Sequence, residues 1–114
     1  MVTINDLSDL ALSFPATSEA AHFEKTAFKV KNKIFATYDA KNNRVCIKLS
    51  LIDQDVFSIS AQDLIYPVPN KWGKQGWTFI EMSKVKKSIF TDALTTAYCE
   101  VAPKNLSLLV RPDE

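Results

Sequence analysis

The feature that most constrains the fold is a change in the spacing of apolar residues along the chain. In residues 3–14, TINDLSDLALSF, apolar side chains recur at helical spacing. Thr3 and Asp6 form a capping-box pattern at the start, and Pro15 ends the helix. Between Lys25 and Leu49 the spacing becomes two residues, with the polar turns KNK and AKNN separating three apolar runs. The pattern predicts a helix followed by a three-stranded antiparallel meander with one buried face.

The second half of the chain predicts a further helix, two strands and a last helix. Residues 53–62 have a helical pattern with Asp53 as the expected N-cap, although their Val, Ile and Phe residues also suit a strand. The prolines of LIYPVP indicate an edge strand or strand ends. WTFIEM predicts the next strand, and a helix is expected from about Lys86 to Pro103. We therefore expect an α+β fold, in a single domain over residues 1–114, with the order α-β(3)-α-β(2)-α. Its antiparallel sheet has helices packed on one face.

The composition argues against several classes of function. No apolar run approaches the roughly 18–20 residues that span a bilayer, so we expect no membrane partner. The first residues carry acids where a secretory signal carries Lys or Arg, which favours a cytoplasmic location. The chain has no metal-ligand spacing, phosphate-binding glycine loop or nucleophile elbow. We expect no catalytic residue, no metal, no cofactor and no small-molecule substrate, and hence no enzyme.

Two side chains leave a chemical alternative open. His22, the only histidine, precedes the first predicted strand, where a surface or capping role is expected. Cys46 lies between Arg44 and Lys48 on the polar side of its strand, so either a lowered thiol pKa or a packed, inert thiol is compatible with the sequence. A deep pocket holding His22, Cys46 and an acid would favour an enzyme. Otherwise Cys46 and Cys99 are expected to be reduced and packed.

Positive charge is segregated along the chain although the net charge is only +1. Residues 24–48 carry seven bases and two acids, and residues 71–87 carry five bases and one acid. The remaining residues carry two bases and ten acids. If the two basic segments meet in the fold, they form one cationic surface, and such a surface attracts polyanions.

One nine-residue segment, PNKWGKQGW, contains both tryptophans and both glycines of the chain. The glycines predict a hairpin turn between LIYPVP and WTFIEM, with a loop of four to six residues. The tryptophans then either cover one end of the core or belong to a protruding wing. In a wing, Lys71, Lys74 and Gln75 would meet a partner while Trp72 stacks or anchors.

The order and spacing of three segments resemble the MmcQ/YjbR family of small bacterial proteins. The segments are ALSFPATSEAAHFEKTAFKVKNKIFATYD, PVPNKWGKQGWTFIEM and DALTTAYCEVAPK. The resemblance implies the α-β(3)-α-β(2)-α fold, which is similar to type III secretion chaperones and to CyaY-like, or frataxin-like, proteins. It also implies a double-wing mode of DNA binding with no established enzymatic activity. A frataxin-like iron role is not expected, because only Asp6 and Asp9 represent the acidic ridge of the first helix.

The sequence therefore predicts a DNA-binding protein that contacts the phosphate backbone through basic β-hairpins without sequence specificity. The alternative is a protein-interaction or chaperone-like module, or a homodimer, that uses the Trp72 hairpin and the sheet face. The candidate nucleic-acid-binding residues are Lys29, Lys31, Lys33, Arg44, Lys48, Lys71, Trp72, Lys74, Gln75 and Trp77.

Overall fold

A computed structural model describes residues 2–61 and 63–112. The helices and strands follow in the order α1 Ile4–Ser13, β1 Thr17–His22, β2 Lys25–Val30, β3 Lys33–Asp39, β4 Arg44–Lys48, α2 Leu51–Ser60, β5 Ile65–Pro67, β6 Trp77–Glu81, α3 Lys87–Val101 and α4 Lys104–Val110. Gly73–Gln75 adds one 3₁₀ turn. The two ends of the predicted domain, Met1 and residues 113–114, lie outside the described residues.

The six strands form one antiparallel sheet in the order β1-β2-β3-β4-β6-β5. Cross-strand partners such as Phe28 with Ala36, and Ala36 with Ile47, lie on the face that the helices cover. Buried side chains of α1 and α3 complete the core against this face. The predicted α+β class, with an antiparallel sheet and helices on one face, is confirmed.

Tyr98 connects the helical layer to the start of the sheet. Its buried ring lies 4.7 Å from the ring of Phe14 and 5.6 Å from that of Phe35, measured between centroids. Its hydroxyl donates a 2.7 Å hydrogen bond to the carbonyl oxygen of Pro15. Because this bond satisfies the polar end of an otherwise apolar side chain, α3 is held against the turn that ends α1.

Two elements were not predicted from the sequence. Strand β1, with the sequence TSEAAH, has no β-branched aliphatic or aromatic residue. It forms because all six of its residues pair with β2. Helix α4 follows Pro103 and packs Leu106 and Val110 against the core. Both additions extend the predicted order without changing the fold class.

The start of α2 also differs from the prediction. Ser50 is the N-cap instead of Asp53, since its hydroxyl accepts a 3.1 Å hydrogen bond from the Asp53 backbone N–H. The helix therefore begins two residues earlier than the expected range of 53–62. Gln62, the expected last residue, lies outside the described residues. In contrast, the predicted capping box of Thr3 and Asp6 is present in α1.

The connection between β5 and β6, from Val68 to Gly76, is longer than the predicted hairpin loop and is called the Trp72 loop below. Its two glycines are required because other backbone atoms lie too close to each of them for a side chain to fit. A Cβ atom on Gly73 would lie 1.9 Å from the carbonyl oxygen of Val68. One on Gly76, where φ is +104°, would lie 1.8 Å from that of Leu49. Buried Gln54 holds the loop from below, because its Nε2 donates to the carbonyl oxygen of Gly73 at 2.9 Å.

We predict that Gly76→Ala lowers the free energy of unfolding by about 2 kcal/mol or more. The left-handed backbone alone costs an L-residue about 1–2 kcal/mol, and the Leu49 carbonyl must also move. Urea denaturation followed by circular dichroism measures the change. Lys74→Ala in the same loop is the control and should stay within about 0.5 kcal/mol of wild type, because Lys74 is exposed. Equal stability of the two variants would contradict the steric requirement for glycine at position 76.

Candidate functional site

The side of the sheet opposite the helices, called the open face below, has no covering layer among the described residues. The register aligns one row of side chains across five strands of this face, from Ala27 through Thr37, Cys46 and Phe79 to Tyr66. Trp77, two residues from Phe79, points to the same face and pairs with Lys48. The open face therefore combines aromatic side chains with basic ones.

A groove of about 510 Å³ lies on the open face. Three aromatic rings contribute to it, and no carboxylate is among its lining residues. Trp72 is 49% exposed, so one indole is available to solvent at the edge of the groove. The lining residues are His22, Lys25, Ile34, Thr37, Cys46, Val68, Asn70, Trp72, Trp77 and Phe79.

The backbone of Trp72 is fixed although its ring is half exposed. Its N–H donates to Oδ1 of Asn70 at 2.9 Å. Its carbonyl oxygen accepts from the N–H groups of Gln75 and Trp77 at 3.0 and 3.1 Å. These backbone hydrogen bonds therefore hold the Trp72 indole at the groove.

Lys48 attaches the Trp72 loop to the sheet. Its ammonium group donates to the carbonyl oxygen of Gln75 at 2.6 Å and to that of Leu49 at 3.4 Å. Gln75 thus contributes through its backbone, and part of the hydrogen-bonding capacity of Lys48 serves the fold. Both residues were predicted to bind a partner, and the structure gives each a contact inside the protein.

Arg44 has a similar internal role. Its guanidinium carbon lies 3.8 Å from the centroid of the Phe79 ring, and Nη1 contacts the Tyr66 hydroxyl at 3.4 Å. Two acids, Asp39 and Glu81, are its cross-strand partners. Burial, followed by a hydrogen bond to Glu81, raises the pKa of Tyr66. Arg44 therefore extends the flat aromatic surface, while neighbouring carboxylates offset its charge.

The predicted lysines are distributed between two sides of the sheet. Lys29 lies on the open face opposite Ile34. Lys33 pairs with buried Val30 and so belongs to the helix side, because partners across a two-residue turn share a face. Lys31 occupies the turn itself, with a φ of 50°. The structure therefore does not bring Lys33, a predicted binding residue, to the face that carries Lys29.

The Trp72 loop also separates its own basic and aromatic residues. Trp72 lines the groove, whereas Lys71 and Lys74 line a second depression beside Gln54. Lys71 Nζ still lies 5.6 Å from the Trp72 ring centroid. No ion pair with a described carboxylate is formed by the lysines at positions 25, 29, 31, 33, 71 and 74.

The thiol of Cys46 is not activated. Burial is the largest effect on its pKa and raises it to about 11, against the smaller opposing effects of Lys25 and Arg44. The flanking bases suggested a lowered thiol pKa for Cys46, and this alternative is wrong. The packed thiol is the correct alternative.

His22 and Cys46 line the same groove, but their strands are not neighbours. His22 is the last residue of β1 instead of preceding the sheet, which corrects the predicted position. Three strand spacings separate β1 from β4, or about 14 Å along the sheet. No carboxylate is among the described residues that line the groove.

Sequence reasoning missed Phe79, Ile34, Thr37 and Asn70 as parts of the site. The alternation in WTFIEM could have placed Phe79 beside Trp77, since residues two apart in a strand share a face. Ile34 and Asn70 had no such signal, because their positions depend on the register between β2 and β3 and on the shape of the Trp72 loop.

The sequence profile of the YjbR family matches residues 12–100. The chain belongs to the YjbR family. The family predicted from the order of the segments is confirmed. No curated protein matches the chain. The crystal structure of Deinococcus radiodurans protein DR2400, a DUF419 domain, is similar with a TM-score of 0.77 and 21% identity. The match covers 89% of this YjbR chain and 79% of that chain and shows a shared fold.

No helix within residues 2–61 and 63–112 is long and apolar enough to cross a membrane. The same residues contain no group of three or more His, Cys, Asp or Glu side chains arranged to hold a metal ion.

We predict that Cys46 reacts slowly with iodoacetamide near neutral pH. A pKa of about 11 in place of 9.0 lowers the thiolate population about 100-fold below pH 8. In a Cys99→Ser variant, the rate should keep rising with pH up to about 11 and should approach that of an ordinary thiol in urea. A rate that levels off near pH 9 in the folded protein would contradict this assignment.

Proposed function

We propose that this YjbR domain binds DNA through the open face and the Trp72 loop, by contacts to phosphates that do not depend on sequence. The observation that carries the proposal is a groove lined by Lys25, three aromatic rings and no described acid, on a sheet whose other predicted lysines outside β4 form no ion pair with a described carboxylate. Cations of this kind attract polyanions, and the aromatic groove offers a contact surface for the bases.

The electrostatic part of the proposal depends on the lysines that form no ion pair with a described carboxylate. Lys25 and Lys29 flank the groove on β2, and Lys31 continues this row into the turn. Lys71 and Lys74 lie at the same end of the sheet as Lys31, across β4. Binding of phosphates at these positions releases condensed counterions, which is the main source of affinity in sequence-independent binding.

The lack of sequence preference follows from the types of side chain. The usual base-specific contact is a bidentate arginine on guanine. Arg44 is the only arginine near the groove, and its guanidinium is engaged by Phe79 and Tyr66. The remaining cations are lysines, which act on phosphates as flexible point charges.

We propose a binding role without catalysis for a cytoplasmic protein. The raised pKa of Cys46 and the separation of His22 from it support this, because neither side chain has the partner that would activate it. The proposed ligand needs no cofactor, since phosphate contacts and ring contacts are both made by the side chains themselves.

Binding to a labelled oligonucleotide should weaken linearly on a plot of log affinity against log salt concentration. We expect Lys29→Glu with Lys31→Glu, and separately Lys71→Glu with Lys74→Glu, to weaken binding at least tenfold and to make the slope less steep by about two. Fluorescence anisotropy measures both effects. The control with the same charge change is Lys84→Glu with Lys86→Glu, at exposed positions before α3 on the helix side. Equal losses of affinity in all three double variants would indicate an effect of net charge alone and would contradict the proposed binding surface.

A protein-interaction module is the second candidate function. Phe23 is 93% exposed at the turn between β1 and β2, in a left-handed backbone conformation that is uncommon for an aromatic residue. On α2, Ile52 and Ile59 are 76% and 73% exposed. Sedimentation velocity without nucleic acid distinguishes the two functions. A stable dimer that shields Trp72 from a fluorescence quencher would favour the second function, whereas a monomer with an accessible Trp72 would favour the first.

A further inference from the structure

We infer that the groove of the open face receives an unpaired base, so that the preferred ligand is a single-stranded nucleic acid. The inference rests on the proposed function and specifies its ligand. The supporting observation is that the half-exposed indole of Trp72 lies at the edge of a groove that Trp77 and Phe79 also line.

The dimensions and lining of the groove suit a small planar ring system. Its volume of about 510 Å³ is within the range of sites that hold small organic molecules. Indole and phenyl rings stack on any base, because every base has an aromatic face.

A duplex cannot use these rings in the same way. Its bases are stacked on one another, and their faces are closed to a protein unless a base leaves the helix. Residues of β1 and β2 line the groove on one side, and Asn70 and Trp72 of the loop line it on the other. A rod-shaped duplex would present its sugars and phosphates to the groove, whereas a flexible strand could place a base inside.

The charges and polar groups of the lining complement a nucleotide. Lys25 contributes a positive charge, and Asn70, Thr37 and His22 contribute hydrogen-bonding groups that can meet the edge of a base. No carboxylate of the lining would repel the phosphates. Lys29, on the strand that carries Lys25, provides a further cation on the open face beyond the groove lining.

The test compares three ligands of equal length: an oligothymidylate of about 15 nucleotides, its abasic analogue, and a duplex. The abasic strand keeps the phosphates and lacks the bases, so it isolates the electrostatic contribution. The protein should bind the oligothymidylate about tenfold more tightly than either of the other two. Tryptophan fluorescence should be quenched only by the oligothymidylate.

Variants of Trp72 identify the site of stacking. Trp72→Leu should weaken binding of the oligothymidylate about tenfold and leave binding of the abasic strand unchanged. Trp72→Phe should restore most of the loss, because a phenyl ring still stacks. Since Trp72 is half exposed, circular dichroism should show both variants folded.

An independent readout uses the thiol at the base of the groove. In the Cys99→Ser variant, the oligothymidylate should slow modification of Cys46 by methyl methanethiosulfonate, and the abasic strand should not. Equal affinity for the oligothymidylate and the abasic strand, or tighter binding of the duplex, would overturn the inference and leave the proposed function intact. Failure to bind any of the three ligands would overturn both.

Discussion

The structure depends on one constraint: helices cover one face of a six-stranded sheet, and no described residue forms a layer over the other face. The covered face buries Phe28, Ile47 and Ile80 completely, and Tyr98 attaches the helical layer to it. The open face is therefore free of the packing demands that select core residues. Aromatic side chains on such a face, next to lysines without described acidic partners, are the basis of the proposal that this face binds another molecule.

Much of the fold could be predicted from the spacing of apolar residues, because burial on one side imposes a period of its own on each helix and strand. The alternation from Lys25 to Lys48 gave the central strands, and the prolines of LIYPVP gave an edge strand. Strand β1 could not be found in this way. In its TSEAAH sequence only Thr17 favours a strand, and complete pairing with β2 makes the segment one.

The site was less accessible to sequence reasoning, because faces and neighbours are set by register. Alternation along β2 accounts for the position of Lys29 on the open face, but this pattern does not extend across the turn to Lys33. The roles of Lys48 and Arg44 were hidden for the same reason. Their contacts, with the Gln75 carbonyl and the Phe79 ring, join segments more than twenty residues apart. The glycines of PNKWGKQGW, in contrast, did mark a backbone under steric constraint, and that backbone holds Trp72 at the groove.

The most direct test of the account is a titration of the ¹⁵N-labelled protein with an oligothymidylate, followed by two-dimensional NMR. The account predicts that the largest shifts occur at the indole N–H groups of Trp72 and Trp77 and at the backbone amides of Thr37 and Phe79. Amides of α3 should stay unchanged. Shifts confined to the helical face, or no shifts at an excess of the oligothymidylate, would contradict the claim that the open face is the binding surface.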